Sequence, residues 1–208
     1  MPPTPTRERD PAAKRIRIAD AALELFQRQG YAETTIEQIA AAARVGRRTV
    51  FDHFPTKEAI LFGHLAVRRE VLIARLRERP TDEPPLVSLH AILREQCVEG
   101  YDRALLDQIR RVIAAEPKLA VQHLTIGMGS FERTVIETLE ARPGAPRGSF
   151  EVHALTEMAF AWFITAVRIY LKNRRRSLVR CFDEVVATCV EAGAALHQVG
   201  SAAGAPNR

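Results

Sequence analysis

Residues 34–58 read TTIEQIAAAARVGRRTVFDHFPTKE. Two threonines stand ahead of an apolar-periodic run, and either can cap a helix: Thr34 with Glu37, or Thr35 with Gln38, completes a capping box. The spacing predicts a short helix ending near Ala42, a tight turn at Ala43-Arg44-Val45, and a second short helix over roughly 47–53. Phe54-Pro55 stops that helix, and Thr56 caps a further one that runs to about Arg77. Ile36, Ile39, Ala40, Val45 and Val50 supply one apolar side, and the small Ala40 and Ala43 let the two short helices cross closely. Two short helices joined by a tight turn make a helix-turn-helix unit.

Upstream, Asp10-Pro11 opens a helix, with Asp as N-cap and Pro in the first turn. Its apolar stripe is Ile18, Ala22, Leu25 and Phe26, and Gly30 ends it. Downstream, Pro80 to Pro85 reads as a linker, followed by helices near 86–99, 102–115, 117–141, 150–172 and 177–198. The stretch 142–148 (RPGAPRG) is a break. No sustained period-two alternation and no Asn-Gly or Asp-Gly turn signals a strand. The expected fold is therefore all-α: an N-terminal three-helix helix-turn-helix domain (10–55), a connecting helix (56–78) and a C-terminal helical bundle (79–199). An arm (1–9) and a tail (200–208) flank it.

The chain has 208 residues, 47% of them hydrophobic, and a formal charge of +5. The apolar share marks a globular chain, and the mild basic excess suits an acidic partner. Its cysteines, Cys97, Cys181 and Cys189, are odd in number and form no CxxC pair, so neither a disulfide framework nor a zinc cluster is expected. The polar, Pro/Arg-rich start is no secretory leader. The most apolar stretch, Ala159 to Val167, is far shorter than the ~20 residues of a membrane span. A cytoplasmic protein without a membrane partner is expected.

The second short helix carries Arg47, Arg48, Thr49, Asp52 and His53 around the inward Val50 and Phe54. Arginine can hold guanine O6 and N7 in a bidentate grip, and threonine can touch a thymine methyl or a phosphate. Thr34 and Thr35 stand at a helix N-terminus, whose free N–H groups suit a phosphate. Lys57 opposes the dipole of its own helix at a few tenths of a kcal/mol, which a phosphate partner or neighbouring Glu58 would offset. Arg48 and Asp52, four apart, can instead pair with one another on a solvated face. No DDxxD or HExxH pattern, phosphate-cradling glycine loop or triad is present. Glu95 and Glu99 share a face without an ExxH partner motif. No enzyme activity, metal or cofactor is expected.

Residues 17–61 resemble the DNA-binding domain of the TetR/AcrR regulators. The landmarks are Ala21-Ala22, Leu25-Phe26, Gly30-Tyr31, Thr34-Thr35, Ile39-Ala40, Val45, Thr49-Val50-Phe51, His53-Phe54 and Lys57-Glu58. The resemblance implies that the third helix enters the major groove and that the positions of Thr35, Phe51, His53 and Lys57 meet phosphates. Arg44 stands where the family usually has glycine, Gly46 where it has a serine cap, and Phe51 where it has tyrosine. A left-handed Arg44 would cost ~1 kcal/mol. The resemblance also implies a sequence-specific regulator, a repressor in the family's usual mode, with operator DNA, a small-molecule effector and a second copy of itself as partners. A ligand-independent architectural DNA binder is the alternative reading.

In the body, Leu124, Met128, Phe131, Val135 and Leu139 form one stripe, with Gly127 and Gly129 beside Met128. Mid-helix glycines cost ~1 kcal/mol each against alanine and need a reason, such as close packing, a bend or room for a ligand. The candidate pocket residues are His123, Gly127, Met128, Phe131, Met158, Trp162 and Phe163. Residues 111–117 resemble actinobacterial members of the family, some of which sense acyl-CoA thioesters or other lipophiles. The 150–172 helix is apolar nearly all round, which means burial on more than one side. With the last helix it suggests a four-helix seam between two copies. The candidate dimer residues are Leu155, Phe160, Ile164, Val167, Phe182, Val185 and Cys189. The basic run 172–176 (KNRRR) reads as a solvated inter-helix turn.

Overall fold

The apolar stripe of the first helix decides how the N-terminal half closes. In the computed structural model, residues 11–116, 118–119, 129–143 and 150–203 are described, and every regular element among them is helical. The arm, the Asp10 cap, His123, Leu124, Gly127, Met128 and much of the 142–148 break lie outside the described residues. The elements are α1 (Pro11–Gln29), α2 (Ile36–Ala42), α3 (Arg47–His53), α4 (Lys57–Leu61) and α5 (Gly63–Glu78). They continue with α6 (Pro85–Glu99), α7 (Arg103–Ala115), α8 (Gly129–Glu140), α9 (Phe150–Lys172) and α10 (Leu178–Ala203).

The chain divides into two compact units: residues up to 75 with 102–134, and 76–101 with 135–208. In the first, Ile18, Ala22, Leu25 and Phe26 of α1 pack with Ile39, Ala40, Val50, Phe54, Ile60 and Leu61. Ile109 and Val112 of α7 and Leu119 join the same core. The boundary expected near residue 78 therefore does not follow the packing. A helix assigned from sequence to the body shares its apolar face with α1.

The single helix expected from Thr56 to about Arg77 is two. Thr56 does cap α4, its hydroxyl accepting from Ala59 N at 3.1 Å, but Phe62 (φ −96°, ψ 10°) ends that helix. Gly63 then starts α5 in very close contact: a Cβ there would lie 3.0 Å from Ala19 Cβ and from two ring atoms of Phe54. With any larger residue the two buried side chains would have to give by a few tenths of an ångström. Arg15 Nη1 donates to Glu70 at 2.6 Å, and His64 Nε2 stands 3.0 Å from Asp20 Oδ1. These contacts hold the first half of α5 to α1.

In the second unit, α6, α9 and α10 pack on one another. α9 is long and apolar enough to cross a membrane, contrary to the expectation drawn from its apolar centre. It carries Glu151, Glu157 and Arg168, and it buries Val152, Thr156, Ala159, Phe160, Trp162 and Ala166. One side of it thus packs in the core, while Ala154, Met158 and Ala161 stay exposed. The turn before α6 is held by a polar latch. Arg79 donates to Glu83 through Nε at 2.8 Å and again through Nη2. Ser88 Oγ donates to Glu83 at 2.6 Å. Arg142 donates to the Glu83 carbonyl and to Ser88 Oγ, both at 3.0 Å.

The Arg79 guanidinium first, and then the Ser88 hydroxyl, hold the Glu83 carboxyl down at about 2. A carboxyl depressed on folding contributes stability that is full above its unfolded value and is lost as pH falls toward the folded one. Wild-type melting temperature should therefore drop between about pH 4.5 and pH 2. Glu83→Gln should be less stable at neutral pH and lose less across that window, as thermal melts at stepped pH will show.

Candidate nucleic-acid interface

The two short helices are shaped by their ends. Thr35 is the N-cap of α2, and the capping box closes: Gln38 N donates to Thr35 Oγ1 at 3.2 Å, and Thr35 N donates to Gln38 Oε1 at 2.9 Å. Gln29, in the last turn of α1, adds a third partner by donating to Gln38 Oε1 at 2.8 Å. Thr34 is only 1% exposed, and its hydroxyl donates to the Gly30 carbonyl at 2.7 Å. This corrects the expectation that Thr34 faces a phosphate: its side chain serves the loop after α1, and Thr35 alone is at the surface.

α2 ends in a Schellman turn. Arg44 N donates to Ala41 O at 3.1 Å and Val45 N to Ala40 O at 3.0 Å. Arg44 takes the left-handed position, with φ 54°. Gly46 caps α3 in extended backbone with no side-chain bond. Val50 and Phe54 are buried beneath α3, while Arg47, Arg48, Phe51 and Asp52 are exposed and Thr49 and His53 half-buried. Phe51 keeps 44% of its surface open. The Arg47 guanidinium lies 5.5 Å from its ring centroid, and Arg47 Nε is 3.1 Å from Glu37. Arg48 and Asp52, exposed on neighbouring turns, form no ion pair with each other among the described residues.

Lys57 stands differently from its expected role. Its ammonium donates to the carbonyls of Tyr31 (2.8 Å), Thr34 (3.1 Å) and Ala32 (3.4 Å) and rides 4.3 Å from the Tyr31 ring centroid. Burial, and then the adjoining Glu58 carboxylate, push the Tyr31 phenol above its ordinary value. Burial pushes Glu58 up, but the polar surroundings of its own backbone N–H, of Tyr31 and Thr56 and of the Lys57 charge outweigh it and leave the carboxyl below its usual range. Sequence reasoning registered the oddity of a lysine in a first helical turn and missed its partners.

The candidate pocket is not assembled in one unit. Phe131, half-buried under Arg69 at 5.3 Å, belongs to the first. Met158, Trp162 and Phe163 belong to the second. Trp162 is buried and Phe163 stacks at 6.0 Å on Tyr101. Among the candidate dimer residues, Phe160, Phe182 and Val185 are buried inside their own unit, with Phe182 at 5.6 Å from the His90 ring. Their side chains do not reach the surface. Leu155, Ile164 and Val167 are half-buried and Cys189 is exposed. Val190, 61% exposed, and the exposed Ala154, Ala161, Ala187 and Ala194 lie outside the set picked from sequence.

A family model described as bacterial regulatory proteins, tetR family, matches residues 18–63. Over 125 residues the chain is 37% identical to the HTH-type transcriptional regulator TcmR of Streptomyces glaucescens, covering 57% of this chain and 55% of that protein. The likeness thus spans little more than half of that relative's length. A crystallised TetR/AcrR-type regulator from Aquifex aeolicus VF5 superposes with a TM-score of 0.51 at 19% identity, over 86% of this chain and 99% of that one. A protein crystallised as a SmeT–triclosan complex gives 0.55 at 21%, over 85% and 91%.

The left-handed Arg44 predicts a stability effect. Relief of the Cβ–carbonyl contact is worth ~1–2 kcal/mol, against ~0.4–1 kcal/mol of added chain entropy in the unfolded state. Arg44→Gly should therefore raise the unfolding free energy by about 0.5–1 kcal/mol, measured by urea denaturation. A loss of stability would mean that the Arg44 side chain makes compensating contacts.

Proposed function

We propose that the chain is a regulator of the tetR type, on the match of residues 18–63 to that family's model and the likeness to TcmR, and that it acts as a homodimeric repressor, freed from its operator by a small, largely apolar ligand. The observation that carries the reading is a basic face over a closed core. Arg44 and Arg48 are exposed and carry no ion pair among the described residues, and Arg47 beside them shares its charge with a single glutamate. Cations left unpaired beside a short helix suit a phosphate backbone and guanine edges. In this reading Arg47, Arg48 and Thr49 reach base edges, while Thr35, Arg44, Phe51, Asp52 and His53 line the flanking backbone.

Pairing of two heads is supported by the second unit. α9 exposes Ala154, Met158 and Ala161, and α10 exposes Ala187, Val190 and Ala194. Each set falls on one face at helical spacing, and small residues permit close crossing of a second copy's helices. The effector reading draws on the apolar side chains of α9 and on the SmeT neighbour, which was crystallised with triclosan. Ligand binding would favour a head separation that no longer matches half-sites about one helical turn apart.

Selection of a duplex from a random pool, followed by anisotropy titration at stepped salt, tests the reading. Binding should weaken steeply from 50 to 200 mM salt. Arg48→Ala should lose about 1–3 kcal/mol on the selected duplex and relax preference at one base position; uniform loss on every base variant would remove its base-reading role. Val190→Glu should turn a dimer into a monomer by light scattering and weaken operator binding. A monomeric wild type indifferent to all duplexes at low salt would overturn the proposal.

A further inference from the structure

An ammonium group has three N–H donors. Lys57 spends its full set inside the protein, on the carbonyls of Tyr31, Ala32 and Thr34, with the Tyr31 ring against the same charge. The three acceptors belong to one short loop between α1 and α2 and converge on a single point. Without a cation there, their partial negative charges would face one another. The loop's last carbonyl belongs to Thr34, immediately before Thr35, the N-cap of α2. Lys57 itself is the first residue of α4. One side chain thus joins the start of α4 to the start of α2, with α3 between them in the chain.

We propose that Lys57 is a positioning residue for DNA recognition and no phosphate ligand: its ammonium clamps the 31–34 loop and so sets where the N-terminus of α2 meets the duplex. The inference rests on the DNA-binding reading above and departs from the role that family resemblance assigns to this position. A phosphate contact would need an N–H that Lys57 does not have to spare. Part of its charge is also offset by the neighbouring Glu58 carboxylate, so its share of the counterion release on DNA binding is small.

Arginine separates the two roles. A guanidinium keeps the charge and is a good phosphate ligand, but its planar fork cannot aim three N–H groups at carbonyls that meet at one point. Lys57→Arg should weaken binding to the selected duplex at least tenfold, with the slope of log K against log salt unchanged. Lys57→Met, which keeps the stem and loses the charge, should behave alike. Tyr31→Leu removes the ring face without touching any charge. It should also lose affinity, and the Tyr31→Leu/Lys57→Met pair should bind no worse than Lys57→Met alone. The same non-additivity is expected in melting temperature without DNA. Wild-type affinity in Lys57→Arg, a slope reduced by about 0.9 in Lys57→Met, or additive losses in the pair would overturn the proposal. A wild type with no salt-dependent duplex binding would refute the DNA-binding reading instead, leaving the clamp to be judged on the melting cycle.

Discussion

The burial of one stripe of α1 is the constraint on which the N-terminal unit depends. α2 and α3 have seven residues each, well below the ~12–15 at which isolated helices become even marginal in water. They persist because Ile39, Ala40 and Val50 close against Ile18, Ala22 and Phe26. Each fully buried side chain of the Ile or Phe type contributes roughly 1.5–3 kcal/mol, so the core outweighs what the short helices lack. It also favours Gly63, where any larger residue would meet Ala19 and Phe54.

Polar groups refine what the apolar seam permits. Gln29 and the Thr35–Gln38 box tie the end of α1 to the start of α2. Lys57 ties that same loop to α4. Between these fixed ends the turn carries strain at Arg44, which places an exposed cation beside α3. The basic surface is thus mounted on a frame whose own charges are mostly spent internally. That division explains why only some of the cations in residues 34–58 are available to a phosphate backbone.

The second unit uses the same logic with a different result. α9 is apolar on most of its circumference, and α6 and α10 cover part of it. Thr156, buried within it, satisfies its hydroxyl on the Val152 carbonyl at 2.7 Å. The Glu83 latch fixes the turn into α6 through three bonds from Arg79 and Ser88 and two more from Arg142 to Glu83 and Ser88. Outside this packing, small apolar residues of α9 and α10 stay exposed, a surface suited to another helical pair.

Much of this was legible in residues 34–58. Caps, helix lengths and the tight turn depend on neighbours within four or five positions, and those neighbours are adjacent in the chain. The open choice between Thr34 and Thr35 was settled by the core, which draws Thr34 inward to Gly30. Lys57 was legible as an anomaly, but its partner Tyr31 lies 26 residues away. Phe182 read as an outward residue until α6 was seen to cover it, and α7 read as part of the body until its apolar face met α1. Backbone hydrogen bonding and side-chain periodicity are local, so the order of residues states them. Where a side chain ends depends on what folds against it, and the linear pattern carries no record of that.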